Sequence, residues 1–95
     1  MDSFRMECFL KAAELGNLTK AAERMSITQP AMSFQIRELE KELQVTLFER
    51  AHGGVVLTEA GRVLRDGFVR ILDSYHRLLE NARACVYGKR RLTIG

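Results

Sequence analysis

The sequence predicts an all-α-dominated fold: three short helices and a small β-hairpin, followed by one long helix. Three observations carry this. Up to Leu43 the apolar residues recur with a period near 3.6, and each run is bracketed by a capping residue and a stop. Between Val45 and Leu57 two short apolar runs flank the turn residues Ala51-His52-Gly53-Gly54. Beyond Thr58, apolar positions alternate in steps of four and three, which is the spacing of a helix seam.

The first helix is capped by Asp2 or Ser3, turns Met6, Phe9, Leu10 and Ala13 inward, and ends at Gly16, which reaches the left-handed conformation at little cost. Thr19 caps a short second helix whose packing face is Ala21, Ala22 and Met25, and Ser26-Ile27 form the turn after it. Thr28 caps the third, with Pro30 in the first turn, where its missing N–H has no intrahelical partner to lose. Met32, Ile36, Leu39 and Leu43 occupy one narrow arc of this helix and face the core. At 100° per residue, Pro30, Phe34, Arg37 and Lys41 fall on the far side, with Gln29 and Ser33 on the flank near the helix start. Val45, Leu47 and Phe48, then Val55, Val56 and Leu57, make two short strands. A helix from Thr58-Glu59 to about Tyr87 carries Leu64, Phe68, Ile71, Tyr75, Leu78, Ala82 and Cys85 as its seam, widened by Leu72 and Leu79. A helix of about 30 residues extends about 45 Å and outgrows the body it leaves, so it needs a second chain or must fold back on its own domain. Gly88 ends it, and Arg91-Leu92-Thr93-Ile94-Gly95 alternates like the start of a strand.

With 95 residues the chain is one small domain, and a domain of this size buries only about 60% of the surface its unfolded form exposes. A partner subunit is therefore expected. The net charge of +3 is unevenly placed: Met1 to Leu57 holds seven Lys/Arg against eight Asp/Glu, and the rest eight against four, including Lys89, Arg90 and Arg91. Nucleic-acid binding would thus depend on a few well-placed cations rather than on the field of the whole chain. Cys8 and Cys85 fit neither a disulfide framework nor a zinc site, and both are expected to be buried. No apolar run is long enough for a membrane span, and the N-terminus lacks the plan of a signal peptide, which points to an intracellular, cytoplasmic protein. His52 and His76 are isolated, no nucleophile, base or metal cluster can be assembled, and an enzyme is not expected.

Two helices joined by a tight turn, the second with a polar N-terminal flank, are the parts of a helix-turn-helix. The first helix must be lined with small residues so that the second can cross it closely, and Ala21 and Ala22 meet that demand. The second must offer base-reading groups near its start. Gln29 can pair with adenine N6 and N7, Ser33 can bond a base or a phosphate, and Pro30 and Phe34 suit a thymine methyl. Arg37, on the outward arc, is a phosphate candidate.

Gly16-Asn17-Leu18-Thr19-Lys20-Ala21-Ala22-Glu23-Arg24-Met25, Thr28-Gln29-Pro30-Ala31-Met32-Ser33 with Gln35-Ile36-Arg37, Leu47-Phe48-Glu49-Arg50 and Leu57-Thr58-Glu59-Ala60-Gly61 together resemble the N-terminal region of LysR-type transcriptional regulators. The resemblance implies a winged helix-turn-helix over residues 1–58, a dimerising linker helix over 59–87, and at 88–95 a hinge and the start of an effector-binding domain absent from this chain. It implies base contacts at Gln29, Pro30 and Ser33 and phosphate contacts at Thr19, Thr28 and Gln35. The partners it implies are double-stranded DNA carrying an interrupted inverted repeat and a second copy of the chain, joined through Leu64, Phe68, Ile71, Leu72, Tyr75, Leu78, Leu79 and Ala82, with higher oligomers in the full-length protein. It implies no cofactor in this fragment; a small-molecule effector belongs to the absent domain. Two positions depart from the family pattern. Gln44 stands where glycine is usual, which puts a side chain in a left-handed conformation. Gly53-Gly54 stand where a wing arginine commonly enters the minor groove, leaving Arg50, His52 and Gly53 as the wing candidates, with Arg50 equally suited to a structural ion pair. A protein-interaction module that uses the same faces without DNA is the alternative.

Overall fold

A computed structural model describes residues 2–87. In chain order it comprises α1 (Ser3–Leu15), α2 (Leu18–Arg24), α3 (Gln29–Leu43), β1 (Phe48–Ala51), β2 (Gly54–Leu57) and α4 (Glu59–Tyr87), a winged helix-turn-helix with a long C-terminal helix. The expected Gly88 stop, the basic run after it and the 88–95 hinge and strand lie outside the described residues.

Asp2 starts α1 by accepting a bond from the Arg5 N–H at 2.9 Å, and Gly16 ends it at φ 62° with its N–H on the Ala12 carbonyl. The buried residues of α1 are Met6, Cys8, Phe9 and Ala12; Leu10 and Ala13, expected inside, are only half-buried. The buried arc is rotated from the expected one, with Cys8 and Ala12 inside in place of Leu10 and Ala13, and it is the arc on which α2, α3 and α4 converge. Asn17, not Thr19, caps α2, accepting from the Lys20 N–H at 2.8 Å. The left-handed Gly16 turns the chain so tightly that the helix begins at Leu18, two residues earlier than a Thr19 cap would start it, and Thr19 becomes an exposed residue of its first turn.

Ala21 and Ala22 are buried and let α3 approach α2 closely. The turn between them closes through Ile27 N–H on the Ala22 carbonyl, with Ser26 left-handed at φ 59°. Thr28 caps α3 through Ala31 N–H as expected, and Met32, Ile36 and Leu39 are buried. Gln44 does adopt the left-handed cap at φ 59°, ψ 41°.

The hairpin is displaced from the predicted one and its turn is tighter: β1 begins only at Phe48, and Ala51 and Gly54, read as turn residues, are strand residues. Pairing runs from Phe48↔Leu57 to Ala51↔Gly54, so the two turn residues are His52 (φ 47°) and Gly53 (φ 78°), the double positive φ of a type I′ turn. Val45 and Leu47 are not in the strand, because the backbone of Leu47 is engaged elsewhere. Its N–H donates to Glu40 Oε2 at 2.7 Å and its carbonyl accepts the Thr58 N–H at 3.0 Å. The wing is tied to the end of α1 by Val55 N–H on the Gly16 carbonyl, and a Cβ at Gly54 would stand 2.3 Å from that same oxygen.

Thr58 begins α4 with its hydroxyl accepting from the Gly61 N–H and donating to the Thr46 carbonyl. Phe68 and Leu72 are buried in the chain's own core, where the Phe68 ring meets Phe9 edge-on at 5.7 Å, and Leu64 packs at the margin. All three were expected in the dimer seam; Phe68 and Leu72 are instead covered by the chain's own core and hold α4 onto the domain, while Leu64 is half-buried. Ile71, Tyr75, Leu78 and Ala82 do stand on an exposed face, with Leu79 half-buried. The helix carries on past the body, giving the molecule a long axis of 51 Å against 26 and 21 Å. Cys8 is buried as expected, but Cys85 is exposed on this projecting part.

Candidate nucleic-acid interface

The start of α3 faces outward because its other side is committed to the core: Met32, Ile36 and Leu39 fix the rotation of the helix. Thr28, Gln29 and Pro30 are exposed at its first turn, Phe34 stays 47% exposed one turn on, and Arg37 and Lys41 continue the same side. The Thr28 hydroxyl accepts from Ala31 N–H at 3.2 Å and keeps its own proton to donate. Gln29 Nε2 donates to Ser33 Oγ at 2.8 Å, so the two base-reading candidates are joined.

Beside this pair lies a polar cleft of about 170 Å³, lined by Asn17, Thr19, Gln29, Ser33, Arg50 and Gly53 among others. It brings the start of α2, the first turns of α3 and the wing into one surface. Thr19, Gln29, Ser33, Arg50 and Gly53 therefore share one site, while Pro30, Phe34 and Arg37 lie along the outward face of α3 beside it. Arg50 is exposed, and its side chain makes no ion pair or hydrogen bond among the described residues. Arg37 is likewise unpaired there, whereas Lys41 is bound to Glu38 at 3.1 Å. His52 is exposed at the wing turn.

Gln35 stands apart from the phosphate candidates. Its Oε1 accepts from Arg5 Nε at 2.8 Å, drawing the amide toward α1, and Arg5 also lies 3.8 Å from Glu42. Only the Gln35 N–H₂ remains to meet a phosphate. Asn17 was missed as a lining residue; an asparagine directly after the helix-ending Gly16 is the signal that could have placed it, since such a residue caps the next helix. A broader hollow of about 580 Å³ opens along the second half of α3, but Glu40 offsets Arg37 and Lys41 in its lining. Burial, reinforced by Glu7 and Asp2, pushes the Cys8 thiol up to about 11, so it stays protonated and inert. No cluster of metal-ligating side chains exists among the described residues, and none of their helices is long and apolar enough to cross a membrane.

Comparison with known proteins agrees with this fold. Residues 4–62 match the family model described as "Bacterial regulatory helix-turn-helix protein, lysR family". The chain is 43% identical to an uncharacterized HTH-type transcriptional regulator in the ibpB-leuC intergenic region of Azotobacter vinelandii, over 99% of this chain and 66% of that one. It is 36% identical to the HTH-type transcriptional regulator TcbR of Pseudomonas sp. (strain P51), over 93% of this chain but only 30% of TcbR. Among solved structures it resembles the CbnR_DBD-DNA complex, with a TM-score of 0.86 and 36% identity over 90% of this chain and 99% of that one. It also resembles the BenM_DBD/catB site 1 DNA complex, with a TM-score of 0.90 and 27% identity over 97% and 99%. The chain thus spans the whole of these two crystallised chains and under a third of TcbR.

Proposed function

Because the chain belongs to the lysR family of bacterial regulatory helix-turn-helix proteins, we propose that it binds double-stranded DNA sequence-specifically as the reading part of a transcriptional regulator. Residues 1–58 are the reader and 59–87 the dimerising helix. The first turns of α3 enter the major groove, with Gln29, Pro30, Ser33 and Phe34 at base edges; Thr19, Thr28 and Arg37, with the Gln35 amide, hold phosphates. Arg50 supplies the wing's cation next to the His52-Gly53 turn. Two copies, joined through the exposed face of α4, place two α3 helices on an inverted repeat, about one helical turn or a multiple of it apart. No catalytic step is assigned. A cytoplasmic location, a small-molecule effector and any higher oligomer belong to the same reading, the last two to the longer regulator.

The convergence of α2, α3 and the wing on one cleft carries the proposal, because polar side chains from three elements are spent on a surface outside the buried core. Fluorescence anisotropy against salt tests it. With Arg37 and Arg50 on each of two chains meeting phosphates, raising salt from about 50 to 200 mM weakens binding roughly a hundredfold, log-linearly. Arg37→Ala lowers affinity for specific and scrambled duplexes alike and flattens that slope. Salt-insensitive binding to a protein partner, with no duplex binding, would replace the proposal by an apolar docking surface centred on Phe34.

A further inference from the structure

We infer that Ser33 acts as the positioning residue that makes Gln29 a reader of adenine in preference to guanine. The inference rests on the DNA-binding reading above and adds what the α3 pair selects. Gln29 is the first residue of α3 and Ser33 lies one turn further on, 2.8 Å from Nε2 to Oγ. The amide is not used for capping, since Thr28 already takes the Ala31 N–H, and it has no other partner among the described residues.

A primary amide has two N–H groups, one beside its carbonyl oxygen and one on the side-chain side. The hydrogen on the side-chain side points back along its own helix and is the one a residue four positions on can engage. With that proton given to Ser33, the amide shows outward one acceptor, Oε1, and one donor, the remaining N–H. Adenine presents the matching pair in the major groove, the N6 donor and the N7 acceptor. Guanine presents two acceptors, O6 and N7, and meeting both requires two outward donors. The bond to Ser33 removes one donor from that use and holds the amide against the half-turn that would exchange its oxygen and nitrogen. Adenine is therefore satisfied completely, whereas guanine leaves Oε1 facing an acceptor.

The test uses the 95-residue chain and the duplex it prefers. The base pair whose identity ceases to matter in Gln29→Ala is the one Gln29 reads, and dissociation constants are measured there for adenine, guanine and 7-deaza-adenine. The wild-type chain should favour adenine over guanine by about 5- to 150-fold, the range a bidentate pair provides, and should lose most of that advantage on 7-deaza-adenine. Ser33→Ala should bring the adenine-to-guanine ratio to within about threefold, and Ser33→Thr, which keeps the hydroxyl, should preserve it. Circular dichroism confirms that each variant is folded. An unchanged ratio in Ser33→Ala overturns the inference, as does a wild-type preference for any base other than adenine at that pair. Equal weakening on every duplex in Ser33→Ala also overturns it, by reducing Ser33 to a phosphate contact. Wild-type binding that ignores sequence would instead overturn the DNA-reading assignment, and the inference with it.

Discussion

Ile71→Glu should split the dimer without unfolding the chain, because α4 has two apolar faces with different duties. Phe68 and Leu72 are spent on the chain's own core, while Ile71 is 52% and Leu78 65% exposed on the other face. Full burial of an isoleucine is worth about 1.5–3 kcal/mol, so covering the exposed half of Ile71 contributes about 1 kcal/mol per chain. Two chains give about 2 kcal/mol, or roughly thirtyfold in the dissociation constant. The desolvation of two glutamates at the seam adds to this. Sedimentation equilibrium over a range of concentrations reads the shift, with helical content followed in parallel. Val69→Glu is the control: Val69 is 51% exposed but lies about 160° around the helix from Ile71, so its substitution should leave the dimer intact. An unweakened Ile71→Glu dimer, or equal weakening by Val69→Glu, would refute the division of faces.

Gln44→Gly should raise thermal stability. It relieves about 1 kcal/mol of left-handed strain at φ 59°, offset in part by the greater freedom of an unfolded glycine, and about 0.5 kcal/mol net corresponds to a Tm rise of about 2–4 °C; a fall would contradict the strain argument. Gly61→Ala should destabilise by about 2 kcal/mol or more, since the added Cβ would stand 2.4 Å from the Leu47 carbonyl oxygen. Gly67→Ala, where the same atom meets nothing within 4 Å, should stabilise the helix by about 0.5–1 kcal/mol, and denaturant titration of the two separates packing from propensity. The Cys8 thiol, raised from 9.0 to about 11, makes folding stability fall between about pH 9 and pH 11, because the unfolded thiol ionises first while the buried one stays protonated. Cys8→Ala should lose less stability than wild type across that window, and parallel curves would show that the thiol plays no part.

The elements written in local chemistry were legible. Thr28 with Pro30 two residues on announced the start of α3, and the spacing of Met32, Ile36 and Leu39 gave its inward face, hence its outward one. Gln29, Ser33 and Arg50 do reach one cleft, although no sequence pattern states that α2 and the wing frame it together. What escaped depends on contacts between distant segments. Gln35 is held by Arg5, thirty residues away, so its place on the helix could not reveal its partner. Gly54 was read as part of the turn, yet it is a strand residue that permits the close approach of the Gly16 carbonyl. Phe68 and Leu72 satisfy a heptad as well as a core, and only the position of Phe9 shows which of the two claims them. Asn17 and Thr19 were both sound caps by residue type; the tightness of the Gly16 turn decided between them.

Recovery of bound duplexes from a fully randomised pool puts the account to its most direct trial, because half-site sequence, symmetry and spacing all emerge from one selection. The account predicts two inverted half-sites at a fixed separation for the wild-type chain, and loss of preference at one base pair in each half-site for Gln29→Ala. Recovered duplexes with no shared sequence, or with a single unrepeated site, would contradict it.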